Sequence, residues 1–427
     1  MQRTWLSVGL LGVLSVACKG GSGGQASPQP SGSSGPAVVA AAVAATNPAK
    51  SSDGCLEQPD YLVPPQKYGN SGDLIRAVLV DGDQVFFRNM SDLMRVPLAG
   101  GPVVTVGKAP ALSLRGTTQL FQAGDELVMQ SPGEPIFMKA KKSGGEWTSF
   151  IDLTAAKKGG GRDAATRILQ GLGKAAPPGA SAAAFDGKAF YYAEITQGKG
   201  RDAPASSVLK SVAFSGGEPQ KLFETPGEIS EVTRVGEQVA FHLVLPPTAE
   251  QLKEKEAERK KSKFVFGVSG ENWLMSVPSA GGTGKRLMRL GSLFSGGLIG
   301  TTTILGADGN QLYVSGYANE DLTKPGTFRI DVASGGSQEL DKRFVRGDAY
   351  VVGDRVVIVG SGVVAPPKSD RGILVLTLPR GGTSLTLAGC VTDKSSLHAS
   401  AVAGNMALLS LFQSGTNLAG IAKVPLR

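Results

Sequence analysis

Val80-Asp81-Gly82-Asp83-Gln84-Val85-Phe86-Phe87, then Leu93-Met94-Arg95-Val96-Pro97-Leu98-Ala99-Gly100-Gly101, then Val103-Val104-Thr105-Val106, is the stretch on which the fold turns. Short runs rich in apolar and β-branched residues alternate with glycine-centred turns, so the segment reads as strand, tight turn, strand, connection, strand, tight turn, strand. Gly82 and the Gly100-Gly101 pair supply the positive φ that tight hairpins demand.

The unit recurs. Turns of the first kind are centred on Gly82, Gly124, Gly187, Gly236, Gly309, Gly353 and Gly404, with Asp81, Asp186 and Asp308 completing Asp-Gly pairs. Turns of the second kind follow at Gly100-Gly101, Gly144-Gly145, Gly216-Gly217, Gly281-Gly282, Gly335-Gly336 and Gly381-Gly382. The seventh copy runs into Ile421-Ala422-Lys423-Val424-Pro425-Leu426-Arg427 without its second turn. A four-stranded unit of about 53 residues repeated around a ring predicts an all-β, seven-bladed propeller with antiparallel blades. Gly (59) and Pro (25) make up about a fifth of the 427 residues, which suits so many tight connections.

The incomplete seventh copy predicts ring closure by a strand from the other end of the propeller. Asp60-Tyr61-Leu62-Val63-Pro64 is the candidate, because pairing it there removes an exposed edge. Cys55 precedes that strand and Cys390 lies between the sixth and seventh units. In an exported chain two such thiols pair, and the bond would staple the N-terminal strand onto the seventh blade. The alternative is two buried free thiols.

The N-terminus reads as an export signal. Arg3 precedes an apolar stretch over residues 5–16, too short to span a bilayer, which ends in Ser15-Val16-Ala17-Cys18. This resembles a bacterial lipoprotein signal peptide. The resemblance implies that residues 1–17 are removed, that Cys18 becomes the lipidated first residue, and that Lys19 directs the protein to the outer membrane, periplasmic or surface-exposed. The alternative is ordinary secretion with cleavage nearby. Residues 18–54, the Cys followed by mostly Gly, Ser, Pro and Ala, read as a disordered tether with a root-mean-square span of roughly 30–36 Å. Residues 55–427 are assigned to the propeller.

Long insertions fall between second and third strands or between units, and in a propeller both connections emerge at one end. Residues 154–180, 196–206, 248–263, 317–326 and 365–371 together carry +7 of the chain's net charge of +8. Lys157, Lys158, Arg162, Arg167, Lys174 and Arg201 are therefore candidate partner-binding residues for an anionic polymer or an acidic protein. Plain solvation of loops is the competing explanation. The loops lack the aromatic interleaving of a nucleic-acid site, so no specific nucleic-acid binding is expected. Residues 250–263 predict a solvated, charged helix, and 162–172 a second, short one. Nothing requires a second copy of the chain, so a monomer is expected.

Chemistry is sparse. His242 and His398 are the only histidines, too few for a multi-histidine metal site, and no Gly-x-Ser-x-Gly elbow is present. Ser207-Val208-Leu209-Lys210 has the spacing of a Ser-x-x-Lys nucleophile but falls in a strand, and Gly284-Lys285 lacks the rest of a phosphate loop. No cofactor, metal or catalytic residue is assigned. Arg76, Glu231, Arg234, Asp348 and His398 are the ionisable residues that could gather at the axis. Residues 73–427 resemble bacterial β-propeller lipoproteins with an Asp-Gly-x-x-Val-Tyr/Phe, Arg-Val-Pro-x-x-Gly-Gly repeat. That resemblance implies the fold and leaves the activity open. The expected function is a non-catalytic binding or scaffolding propeller working through a basic loop face. The alternative is a lyase-, lactonase- or glycosidase-like enzyme with its site in the central channel.

Overall fold

The computed structural model describes residues 55–56, 59–67, 74–89, 92–109, 119–130, 136–152, 179–180, 183–196, 204–261, 270–291, 302–317, 325–363, 371–392, 395–413 and 415–426. They form seven antiparallel sheets arranged as blades. Blade one comprises Ala77–Asp81, Gln84–Arg88, Asp92–Pro97 and Val104–Lys108, from the axis outward. Blades two to six span 119–152, 179–226, 228–290, 303–341 and 345–392, each in the same order. In blade three two short innermost pieces, Gly179–Ala180 and Ala184–Phe185, both pair with Ala189–Thr196.

The seven glycines of the first hairpins all take positive φ, from 52° at Gly236 to 90° at Gly187. Middle strands are covered on both faces and read as continuous apolar runs, as in Val356-Val357-Ile358-Val359, which is wholly buried.

A feature invisible to turn-counting recurs in the outer strands. In blade one Leu93 faces Gly107 and Met94 faces Thr105, leaving Val106 as the extra residue of a β-bulge. The same slip leaves out Phe150, Leu222, Leu287, Leu340 and Ala388 in blades two to six. Every one is apolar. Each packs into the cluster that joins its blade to the next, so the bulge aims a side chain across the seam.

The last seam is closed by the N-terminal strand. Asp60–Gln66 pairs antiparallel with Leu418–Pro425 as the outermost strand of blade seven. Its register slips at Leu62, which is 5% exposed and packs in the cluster between blades seven and one. Leu62 thus occupies the same bulge position as the six others, supplied from the opposite end of the propeller. Pro64 and Pro65, with no amide to donate, blunt the outer edge. Gly420 lets this strand approach, since a Cβ there would meet the Val63 carbonyl at 2.7 Å. The Ser410 hydroxyl donates to the Ile75 carbonyl (2.6 Å) and pins blade seven to the entry of blade one.

Cys55 and Cys390 form a disulfide, with their Cα atoms 4.7 Å apart. The bond does not staple the chain onto blade seven as the sequence suggests. Cys390 belongs to Thr386–Thr392, the outer strand of blade six, and both sulfurs pack in the seam between blades five and six. Leu56 then bridges to Val391, its amide donating to the Cys390 carbonyl (2.8 Å), and packs against the next seam. The segment therefore crosses the edge of blade six before the chain reaches blade seven.

At the hairpin end the three Asp-Gly aspartates each reach a cation on the following blade. Asp81 pairs with Lys142, Asp186 with Arg234 (3.5 Å) and Asp308 with Arg380, whose guanidinium donates to both carboxylate oxygens (2.6 and 2.8 Å). The expected charged helix is present as Ala249–Lys261 (α1). Thr248 caps it: its hydroxyl accepts the Gln251 amide (3.2 Å), while the Gln251 side chain accepts the Thr248 amide (2.8 Å).

Leu62→Ala is expected to cost about 2–4 kcal/mol by emptying the closing seam. Replacing both Cys55 and Cys390 by serine should lower stability by up to about 5 kcal/mol, since the bond closes a 335-residue separation. Urea unfolding of the two variants measures both effects.

Candidate functional site in the central channel

The innermost strands flank the axis of the ring. Three of these strands carry bulges: Glu228–Val235 at Glu231-Val232, Thr303–Asp308 at Leu305, and Ser395–Ala403 at His398. Leu305 is turned into a seam, but Glu231 and His398 are ionisable. A bulge re-aims a side chain that a regular strand would hold against its neighbour.

Glu231 is the most constrained. Its backbone sits at φ 52°, a left-handed conformation that costs a non-glycine residue free energy. Its Oε2 accepts the Ile304 amide of blade five (2.8 Å), an inner-edge donor with no strand partner on the axis side. Burial pushes its carboxyl up to about 7, against the opposing pull of the Ile304 amide and the Arg346 guanidinium. Gln119 plays a related part between blades two and three, its side-chain oxygen accepting the Ala183 amide (3.0 Å).

Blade six contributes Val345–Val352, where Arg346, Asp348 and Tyr350 alternate onto one face. Arg346 and Asp348 both keep exposed surface on this innermost strand. The Ser400 hydroxyl donates to Asp348 (3.2 Å), and the Tyr350 hydroxyl donates to the Ser400 carbonyl (2.7 Å). Enclosure by protein raises the Asp348 carboxyl, partly offset by the Ser400 and Tyr350 hydroxyls.

Blades seven and one contribute a cationic corner. Burial lowers the His398 imidazole below its ordinary value, and the nearby Arg76 charge lowers it further. Arg88, 1% exposed, is lowered first by burial and then by Arg76. The Ser396 hydroxyl lies 3.1 Å from His398 Nε2.

Of the axis candidates, Glu231, Asp348 and His398 lie on innermost strands, and Arg76 immediately precedes one and stands near His398. Arg234 is elsewhere. It lies over the Tyr191 ring (5.6 Å) and is shared by Asp186 and Glu237 at the hairpin end. His242 is enclosed within blade four beside Ser230 and Asn272, and burial holds it below the ordinary imidazole value. Ser207 is a pin: its hydroxyl donates to the Gly227 carbonyl (2.9 Å) and accepts the Ile229 amide (3.0 Å), while Lys210 pairs with Glu194 (2.8 Å). Lys285 donates to the Ala333 carbonyl on blade five (2.7 Å). Arg88, Arg346 and Tyr350 were not anticipated. Their signal was position, at the end of a second strand and alternating along an unusually polar innermost one. Cys18, Lys157, Lys158, Arg162, Arg167, Lys174 and Arg201 lie outside the described residues. Among the described residues no cluster of three or more His, Cys, Asp or Glu could hold a metal ion, and no helix is long and apolar enough to cross a membrane.

No protein-family model matches the chain, and no curated protein matches it. Among solved structures the chain is similar to an oligogalacturonate lyase from Vibrio parahaemolyticus, at 12% identity and a TM-score of 0.49, covering 86% of this chain and 92% of that one. It is also similar to the polysaccharide lyase Uly1 (11% identity, TM-score 0.46, covering 84% and 92%). A third is the β-propeller domain of the Trilobed protease from Pyrococcus furiosus (8%, 0.47, covering 82% and 95%).

The Glu231 carboxyl gives a signed prediction. Its proton is held more tightly in the folded state than in the unfolded chain, where it ionises near the ordinary value of 4.5. Its contribution is therefore full below about pH 4.5 and is lost as pH rises to about 7. Relative to wild type, Glu231→Gln should gain stability on going from pH 5 to pH 8, by on the order of 2–3 kcal/mol. Urea midpoints at the two pH values check it.

Proposed function

We propose that the chain is an exported, lipid-tethered propeller that acts as a non-catalytic binding module and meets its partner on the end that carries the long connections. The carrying observation is the asymmetry of the ring. Every inner and third-strand hairpin of the six blades complete in sequence closes at one end through a short glycine turn. The connections across 153–178, 197–205, 245–271, 318–324 and 364–370 all leave from the other. Those connections carry +5 of the chain's net charge of +8, so an acidic protein surface or an anionic polymer is the matching partner. A lipid on Cys18 would hold the propeller at the outer membrane through the tether.

Two measurements test this. Cys18→Ala should move the protein from the membrane to the soluble fraction, and unchanged partitioning refutes the anchor. Replacing Lys157, Lys158, Arg162 and Arg167 together by glutamine should cut recovery on an anionic resin such as heparin several-fold at low salt. Equal recovery reduces the charge to solubility. The alternative, a channel enzyme, draws support from the near-neutral Glu231 carboxyl. Turnover of glycoside or lactone substrates by wild type that Glu231→Gln loses would establish it.

A further inference from the structure

The outer rim of blade four carries a guanidinium held by its flat face. Arg286 is exposed and lies over the Trp273 indole, 4.6 Å from the ring centre. Among the described residues no hydrogen bond or ion pair engages its N–H groups. Trp273 is fixed in turn. Its indole packs against the cluster between blades three and four, and its Nε1 donates to Glu271 (3.1 Å). The other Glu271 oxygen pairs with Arg289 (3.3 Å), which stands directly across the strand pair from Trp273. Arg286 stands opposite Met275, so both arginines share the face that Trp273 and Met275 present to blade three. Half-buried Phe223 of blade three is close by, since a Cβ at Gly284 would meet its ring at 2.8 Å. Trp273 follows directly on the connection 245–271, and Arg289 closes the outer strand at the same end.

A guanidinium stacked on an aromatic ring keeps its donors in one plane, ready to grip a carboxylate as a fork. Stacking also sets its orientation beforehand, so less side-chain freedom is lost on binding. Local charge decides the kind of partner. Glu271 offsets one of the two guanidinium charges, so a uniformly anionic polymer gains little here. A single carboxylate suits the site better, because both Glu271 oxygens are committed to Trp273 and Arg289 while Arg286 is not paired. A sugar ring would have to displace the guanidinium to stack on the indole. Tryptophan and arginine are also the residues that carry most of the binding energy at protein interfaces.

We propose that Arg286 on Trp273 is an anchor for an acidic protein segment, its guanidinium taking one Asp or Glu carboxylate beside the apolar surface of Trp273 and Phe223. This rests on the reading that a partner docks at the end carrying the long connections, and it names the group on which the partner is held.

Trp273 supplies its own readout. The chain has three tryptophans, so in a Trp5→Phe, Trp147→Phe background its emission reports on this site alone. The probe is a short synthetic peptide of spaced glutamates with leucines between them, titrated into the full chain at low salt. It should change Trp273 emission saturably. Arg286→Gln should weaken binding about tenfold, and Arg286→Lys, which keeps the charge but loses the planar fork, by nearly as much. Thermal midpoints near that of the parent are the control for folding. Glutamine at Lys157, Lys158, Arg162 and Arg167 should leave the Trp273 response in place. A loop charge that fails its heparin test therefore leaves this anchor standing. Saturable peptide binding with unchanged Trp273 emission overturns the proposal, as does no peptide binding. So does Arg286→Gln binding like the parent, or a Trp273 response evoked by heparin and not by the peptide.

Discussion

A ring of blades is stable only if it is complete, because each blade is a sheet with two apolar faces and each face needs a neighbour. Here the pairing of Asp60–Gln66 with Leu418–Pro425 completes the last blade. Without it, the edge of Leu418–Pro425 would be unpaired and Leu62 and Val63 would be missing from the seam to blade one. Propellers of this kind turn a chain of local hairpins into a closed object through one long-range contact, and that contact carries the entropic cost of closing a loop of several hundred residues. The disulfide beside it offsets part of that cost in the unfolded chain.

The seams show how repetition is maintained without sequence identity. The bulge residues range from alanine to phenylalanine, yet each fills the same place between blades. What is preserved is an apolar side chain where the outer strand has one residue too many. The Asp-Gly turns do double work in a similar way. Their aspartates suit a tight turn and also reach a cation on the next blade.

Much of the fold was legible because glycine marks turns by a local property of the backbone, and local properties survive in sequence. Thirteen glycine turns were enough to count blades, find the unfinished one and name its donor. The route of the N-terminal segment was not legible. Whether Cys55 meets blade six or blade seven depends on the path of a few residues over an outer edge, which no periodicity encodes. The channel was half legible. Glu231, Asp348 and His398 could be named as ionisable residues of inner strands, but a bulge decides where such a side chain points. Arg346 escaped notice because nothing in Phe344-Val345-Arg346-Gly347 separates an arginine on an innermost strand from one on an outer strand. The helix start at Thr248 was readable in principle, since Thr248 and Gln251 have the spacing of a capping box.

The order of attachments along the N-terminal segment has a mechanical meaning. A chain pulled from its N-terminal side transmits tension first to Cys55, where a covalent bond passes it into the outer strand of blade six. The residues beyond, including the hydrogen-bonded strand that closes the ring, lie downstream of that bond and carry no load. With the disulfide intact, the joint most easily peeled apart is shielded from any pull applied on the N-terminal side of Cys55. Reduced, the same protein would take that force directly on its closing strand and open like a zipper from Asp60.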